Sequence, residues 1–176
     1  MTIKFKIVVI GGAEEKQEIL LLDEKNLKEG ENYETEIGLD FKLKYKIIEE
    51  TDVNLVLWLI RGEKFKEIKR NFYEGADGIV LLFDASQEEN IEKIISKIQQ
   101  IREKSPNSSI LLISRNIRNQ INEIIEKYTK KLIEKGKPKE SLHLNIDFFD
   151  ALEKNGLDPE EFLDFLTKKL LSRVKY

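Results

Sequence analysis

The stretch RNFYEGADGIVLLFD, residues 70–84, is the most informative part of the sequence for the fold. Its second half, residues 78–84, is almost wholly apolar and has the length of a strand that is buried on both faces. The isoleucines between residues 91 and 101 follow at helical spacing on one face, and a second apolar run comes at residues 110–113. Alternating units of this kind predict an α/β fold with a mostly parallel sheet that carries helices on both faces.

The same alternation extends to both ends of the chain. On the amino-terminal side, residues 3–10 are predicted as a strand that stops at a glycine pair, and residues 16–27 as a helix. On the carboxyl-terminal side, apolar spacing predicts a helix over residues 121–132, a last strand over residues 142–148 and a helix that begins at Pro159. No linker or low-complexity tract separates these elements, so one domain is expected to fill the chain.

Residues 39–47 alternate strictly between apolar side chains and Asp or Lys. This period of two predicts a strand with one wet face, and the lysines suit an exposed edge of the sheet. The polar residues 49–52 then predict a turn, and the apolar run 53–60 predicts an antiparallel partner strand. The expected fold is therefore a six-stranded, mostly parallel sheet with one antiparallel edge strand, in a single domain over residues 1–176.

The composition narrows the class of protein. The chain has 176 residues, of which 36% are charged and 40% hydrophobic, and its formal net charge is −3. No basic stripe is available to neutralise phosphates, so no nucleic-acid partner is expected. The lack of cysteine excludes disulfides, thiolate metal sites, a cysteine nucleophile and a prenyl or palmitoyl anchor. Without a signal peptide or an apolar run long enough to span a bilayer, we expect a cytoplasmic protein with no transmembrane segment.

Four stretches together resemble the Ras superfamily of small GTPases and, within it, the Rab-like branch. They are residues 11–17 (GGAEEKQ), residues 37–42 (IGLDFK), Leu57-Trp58 followed by residues 62–65 (GEKF), and above all residues 70–84. The last run is close to the Rab pattern in identity and spacing, and the order of predicted elements matches along essentially the whole chain. The resemblance implies a P-loop small-GTPase-like domain, a class that binds GTP or GDP with Mg²⁺.

The phosphate loop departs from the family's pattern, which is GxxxxGK followed by Ser or Thr. In that pattern the glycines let backbone N–H groups wrap the phosphates, the lysine neutralises charge and the hydroxyl binds Mg²⁺. Counting from Gly11, the second glycine is replaced by Lys16, the lysine by Gln17 and the hydroxyl residue by Glu18. In a register one residue shorter, Lys16 matches the lysine, but Glu15 replaces the glycine and Gln17 the hydroxyl residue. Either register loses two essential features and adds carboxylates near the phosphates.

Three further motifs of the family are altered. Glu36 stands where the family has a threonine that binds Mg²⁺, and Leu59 stands where it has an aspartate that orients the metal's water shell. The catalytic glutamine is missing between Gly62 and Glu63. Arg118 replaces the aspartate that accepts two hydrogen bonds from guanine, and a guanidinium group has only donors.

These losses predict a catalytically inactive pseudo-GTPase with no catalytic residue, no metal site and no cofactor. An unliganded fold must fill the vacated region itself, so Leu59 and Ile60 are expected to pack at the end of their strand. The alternative is a divergent GTP-binding protein or GTPase whose site is completed by a partner and which uses GTP or GDP with Mg²⁺. In that alternative the nucleotide-binding residues are Gly11, Gly12, Lys16 and Asn116.

The aromatic triad that Rab-like proteins use at their switch–interswitch surface is kept. Its positions match Phe41, Trp58 and Phe72, the last where the family usually has tyrosine. Because aromatic side chains are the commonest interface hot spots, the triad predicts a protein-binding or scaffold module, the alternative being that the rings are ordinary core. A third possibility is a structural subunit that buries its edge strand, residues 39–47, in a larger assembly. The sequence leaves the partner and the oligomeric state open.

Overall fold

From residue 78 onward, strands alternate with helices in the part of the chain that the structure describes. The structure, a computed structural model, describes residues 2–11, 33–34, 39–60, 72–83, 85, 88–114, 117–137, 145–150 and 159–174. Its strands are β1 (Ile3–Gly11), β2 (Tyr33–Glu34), β3 (Leu39–Ile48), β4 (Thr51–Ile60), β5 (Gly78–Leu82), β6 (Ser109–Ser114) and β7 (Ile146–Asp150). Its helices are α1 (Glu88–Lys104), α2 (Ile121–Glu134) and α3 (Pro159–Val174), and a 3₁₀ turn spans Ile117–Asn119.

The strands form one sheet in the order β2-β3-β4-β1-β5-β6-β7. Each neighbouring pair in the series β4-β1-β5-β6-β7 is parallel, whereas β3 runs antiparallel to β4. This arrangement confirms the predicted mostly parallel sheet with an antiparallel strand at one side. The two-residue strand β2 lies on the outer side of β3, where it pairs with Asp40 and Phe41 of that strand. It could not be predicted, because so short a run carries no periodicity.

Successive residues of the central strands point to opposite faces of the sheet and bury two apolar cores. Ile7 and Val9 of β1 belong to the core beneath α3, together with Phe162 and Leu166 of that helix. Val8, between them, belongs to the core beneath α1 and α2. The helices on both faces explain why these strands are almost continuously apolar.

The last strand begins later than its sequence pattern predicts. The predicted bounds were residues 142–148, whereas β7 runs from Ile146 to Asp150; residues 142–144 and the predicted helix 16–27 lie outside the described residues. Asn145 has a φ of 42°, a left-handed conformation that interrupts an extended chain. Its carbonyl accepts a hydrogen bond from the Ile110 N–H at 3.0 Å, which fixes where β7 joins β6.

The turn between β3 and β4 is shorter than predicted. It consists of Glu49 and Glu50, with φ values of 48° and 62°, whereas Thr51 and Asp52 already belong to β4. Two consecutive residues with positive φ are typical of the tight type I′ turn, whose twist matches that of the flanking strands. The resulting hairpin pairs β3 with β4 along their whole length, from Ile48 opposite Thr51 to Leu39 opposite Ile60.

The two faces of β3 are the reverse of the prediction that its lysine face is wet. Lys42 and Lys46 are buried at 3% and 8% exposure. The apolar residues of the other face are the exposed ones, Leu43 at 45%, Tyr45 at 58% and Ile47 at 64%. The lysine face lies against the acidic first turns of α3, where carboxylates bind the ammonium groups of Lys44 and Lys46. Long lysine stems can be covered by neighbouring elements when the charged end is paired, so the lysine side became the covered one.

Candidate functional site

The carboxyl ends of the parallel strands form the edge of the sheet at which this class of fold binds ligands. The register places Gly11, at the end of β1, beside Leu82 of β5, while Ile60 ends the neighbouring strand β4. Of the residues predicted to bind nucleotide in the alternative interpretation, Gly11 lies at this edge. The others lie outside the described residues: Gly12, Lys16 and Asn116.

Leu59 occupies the position at which the resemblance implies an aspartate. Its side chain is 0% exposed and belongs to the apolar core beneath α3, next to Val9, its partner in β1. Ile60 is 4% exposed and packs into the core on the other face. Both observations confirm that these residues pack at the end of β4. A leucine offers no lone pair to the water shell of a metal ion, so hydrocarbon fills this position.

The segments that follow β5 and β6 are joined by a buried hydroxyl. Ser114, at the end of β6, accepts a hydrogen bond at its Oγ from the Ala85 N–H at 2.8 Å. Ile117 is buried at the start of the 3₁₀ turn, and Arg118, the next residue, is exposed. Arg118 therefore stands at the surface in the position where the resemblance implies the guanine-binding aspartate, and its guanidinium group can only donate.

Several carboxylates in the described part of the chain bind cations of the protein itself. Glu92 of α1 accepts a hydrogen bond from Lys131 of α2 at 2.9 Å, and this bond lowers the pKa of Glu92. Among the residues that the structure describes, no group of three or more His, Cys, Asp and Glu side chains could hold a metal ion. Within the same ranges, no helix is both long enough and apolar enough to cross a membrane.

The three aromatic residues predicted to bind a partner form one contiguous cluster, which we call the aromatic surface: Phe41, Trp58 and Phe72. The ring of Trp58 packs edge-on against Phe41 at 4.7 Å between centroids and against Phe72 at 6.2 Å. Edge-to-face packing at these distances is favourable for aromatic rings. Phe41 and Trp58 are half-buried, whereas Phe72 is 7% exposed. The outer two rings therefore remain accessible, and Phe72 supports them from within the core.

Lys6 of β1 adds a charge to the aromatic surface that the sequence analysis missed. Its Nζ lies 4.0 Å from the centroid of the Trp58 ring and donates a hydrogen bond to the Glu74 carbonyl at 2.8 Å. Its backbone N–H donates to Asp77 Oδ2 at 2.8 Å. Burial lowers the pKa of Lys6, and the nearby charges of Glu74 and Asp77 oppose that effect. The parallel pairing of β1 with β4 could have indicated this contact. It sets Val8 beside Trp58, and Lys6, two residues before Val8, points to the same face of the sheet as Trp58.

An exposed apolar row continues the aromatic surface along β3, and we call it the apolar stripe: Leu43, Tyr45 and Ile47. The three side chains share the sheet face of Phe41, because residues two apart in a strand point the same way. Val56 of β4, which pairs with Leu43, is half-buried on that face. The Tyr45 hydroxyl donates a hydrogen bond to Asp52, and this bond raises the pKa of Tyr45.

On the opposite face, ion pairs fasten β3 to the beginning of α3. Glu160 accepts from both Lys44 and Lys46, the latter at 2.6 Å, and Asp164 accepts from Lys46. The side chains of Lys44 and Lys46 are 10% and 7% exposed, whereas those of Glu160 and Asp164 are 38% and 44% exposed, so the ammonium groups are shielded but their carboxylate partners border solvent. These ion pairs join the hairpin that carries Phe41 and Trp58 to α3.

The sequence model of the Ras family matches residues 6–170. The chain is 26% identical over 172 residues to GTP-binding protein ypt1 of Schizosaccharomyces pombe, an alignment that covers 97% of this chain and 81% of that protein. It is 27% identical over 173 residues to Ras-related protein Rab-1 of Theileria parva, covering 97% of this chain and 76% of that protein.

Proposed function

Because the chain belongs to the Ras family, we propose that it is a Rab-like pseudo-GTPase that binds a protein partner through its aromatic surface. The observation that carries the proposal is Leu59, whose buried side chain fills the position of the metal-orienting aspartate implied by the resemblance. A carboxylate in that apolar core would be strongly unfavourable unless it were paired. The protein therefore gains stability from a packed site rather than from a bound nucleotide.

The residues present do not fit GTP with Mg²⁺. Arg118 presents only donors where guanine recognition needs an acceptor. In either register of the phosphate loop, the sequence puts Glu15 or Glu18 at a position that the family keeps free of negative charge. At an effective dielectric constant of about 20, one carboxylate about 6 Å from a phosphate charge costs roughly 3 kcal/mol, or about a hundredfold in affinity. We infer that the protein hydrolyses no GTP and uses no cofactor.

The aromatic surface supports a role in protein binding. Phe41 and Trp58 are half-buried rings that touch each other, and a cluster of this kind resembles the anchors of protein interfaces. Lys6 above the Trp58 ring and Phe72 behind it hold the indole in one orientation. A preformed surface spends no binding energy on ordering itself, so the loss of a nucleotide switch and the retention of the triad are compatible.

Thermal unfolding in the presence of nucleotide tests the inactive site. We expect millimolar GTP or GDP with Mg²⁺ to leave the melting temperature unchanged, and chelation of Mg²⁺ to have no effect. A ligand at about a hundred times its Kd would add about 2.7 kcal/mol to the folding free energy. In a domain of this length that gain raises the melting temperature by roughly 5–10 °C, which is easily measured.

Two further measurements make this test decisive. ATP at the same concentration controls for unspecific binding of anions, and mass spectrometry of the denatured protein detects nucleotide that co-purified with it. A stabilisation that needs Mg²⁺ and GTP but is not produced by ATP would refute the pseudo-GTPase. It would favour the alternative, a divergent GTP-binding protein whose site is completed by a partner. The Ras-family match and the position of Gly11 at the end of β1 support that alternative.

A further inference from the structure

Within the described residues, the outer edge of β3 is paired over only part of its length. β4 pairs with β3 on the inner side from Leu39 to Ile48. On the outer side, β2 pairs with Asp40 and Phe41. Along residues 43–47, no strand within the described ranges lies against this edge. An unpaired strand edge presents a row of backbone donors and acceptors to which another strand can bind.

The tight turn determines which backbone groups face outward. In a hairpin closed by a two-residue type I′ turn, the residues that flank the turn, Ile48 and Thr51, form a hydrogen-bonded pair. Hydrogen-bonded and non-hydrogen-bonded pairs then alternate along the ladder. Leu43, Tyr45 and Ile47 therefore point their N–H and C=O groups away from β4. Phe41, two residues before Leu43 and so in the same phase, pairs on the outer side with Tyr33 of β2.

We propose that the outer edge of β3 pairs with the same edge of a second copy of this chain, antiparallel and centred on Tyr45. A two-fold axis at this residue sets Tyr45 opposite Tyr45 and Leu43 opposite Ile47. All three outward-facing residues of each copy then find hydrogen-bonding partners, and two seven-stranded sheets join into one. The association requires no nucleotide and does not depend on the proposed function.

The side chains favour a second copy as the occupant of this edge. On one face the two apolar stripes come together, so Leu43, Tyr45 and Ile47 meet apolar partners across the new strand pair. On the other face Lys44 of one copy comes opposite Lys46 of the other, an arrangement that is unfavourable for unpaired like charges. Here each copy brings its own carboxylates, because Glu160 and Asp164 already bind these lysines. The lysines that would otherwise protect the edge are neutralised.

The short length of the free edge limits the affinity. Stable protein interfaces bury at least about 1,200 Å² in total, and a strand edge over residues 43–47 offers less than that. We therefore expect a weak, reversible dimer that forms at high protein concentration. Phe41 and Trp58 lie beyond the paired stretch, so the dimer would display two copies of the aromatic surface.

Sedimentation equilibrium and amide hydrogen exchange test this dimer. Between about 10 µM and about 1 mM protein, the weight-average mass should rise from 20.6 kDa towards twice that value. Over the same range, the amide hydrogens of Leu43, Tyr45 and Ile47 should exchange at least about tenfold more slowly. The amides of Lys44 and Lys46, which face β4, serve as controls within the same strand because they are protected at every concentration.

Two variants interrupt the edge in different ways. Tyr45→Pro removes the N–H at the two-fold axis, a donor that the monomer does not use for the β4 ladder, and should stay monomeric. Ile47→Lys puts a charge into the exposed apolar stripe and should also stay monomeric, which covers the case that the proline variant fails to fold. Ile133→Lys changes an exposed isoleucine of α2 and should dimerise like the unaltered protein.

Two results would overturn the proposal. One is a constant mass of 20.6 kDa up to about 1 mM together with unchanged exchange at Leu43, Tyr45 and Ile47. The other is a rise in mass without slower exchange at these three amides, because the copies would then associate through another surface. Neither result bears on nucleotide binding, so failure here is distinguishable from failure of the proposed function.

Discussion

At the scale of single residues, the proposal that the site is inactive rests on Leu59. Its side chain is completely buried among apolar neighbours beneath α3. The replacement of one carboxylate by an alkyl group has two effects, since it removes a polar group from the site and extends the core to the end of β4. Under the proposed function, this one substitution accounts for both the lost chemistry and the gained packing.

We expect Leu59→Asp to lower the free energy of unfolding by about 3 kcal/mol, because a carboxylate would be buried without a partner. Urea unfolding measures the change. Leu59→Met is the matched control, since it nearly conserves volume and should cost less than about 1.5 kcal/mol. Unchanged stability of Leu59→Asp would mean that the position is open to water and that the site is not filled.

Trp58 and Phe72 are neighbouring rings with different expected roles. Truncating the half-buried ring, Trp58→Ala, should weaken partner binding by about 2 kcal/mol or more, as at other aromatic hot spots. Truncating the buried ring, Phe72→Ala, should mainly lower fold stability, by roughly 3–5 kcal/mol. A pull-down with chemical cross-linking identifies the partner first, and calorimetry of each variant then separates stability from affinity.

The opposite outcome is equally informative about these rings. If Trp58→Ala unfolds the domain as severely as Phe72→Ala does and leaves the affinity of the remaining folded protein unchanged, the triad belongs to the core. The partner would then have to bind elsewhere on the molecule.

At the scale of elements, β3 illustrates what alternation can and cannot predict. A period of two predicts a strand with two chemically different faces, and β3 is such a strand. The pattern does not determine which face is covered, because that depends on what the rest of the chain packs against it. Here the covering element is α3, whose Glu160 and Asp164 make the lysine face the inner one.

Removing the acidic partners of β3 should therefore destabilise the hairpin. In the double variant Glu160→Gln with Asp164→Asn, the shielded ammonium groups of Lys44 and Lys46 lose their charged acceptors, which should cost about 1–3 kcal/mol. Glu126→Gln on the exposed side of α2 is the control and should change stability by less than about 0.5 kcal/mol. Chemical denaturation compares the three proteins, and equal stability of the double variant and the control would mean that the pairs contribute nothing.

At the scale of the whole molecule, the order of strands and helices followed from apolar periodicity and the sheet was predictable as mostly parallel. Local conformation was harder to predict from the sequence. The left-handed Asn145 places the start of β7 later than predicted, and the tight turn at Glu49-Glu50 places the start of β4 earlier. In the site, the burial of Leu59 was predictable because it lies in a continuous apolar run. The contact between Lys6 and Trp58 was not, since it depends on the register of two strands far apart in the chain.

The ion pairs between β3 and α3 also have a consequence for synthesis of the chain. Lys44 and Glu160 are 116 positions apart, and Lys46 and Asp164 are 118 positions apart. At about 5–20 residues per second, a ribosome completes β3 roughly 6–24 seconds before the first turns of α3 exist. During that interval the lysines face water, and their unpaired charges discourage the unfinished edge from pairing with other nascent chains. We therefore expect the same ammonium groups to act twice, first as charges on the edge of the growing polypeptide and then as links between two elements of the finished protein.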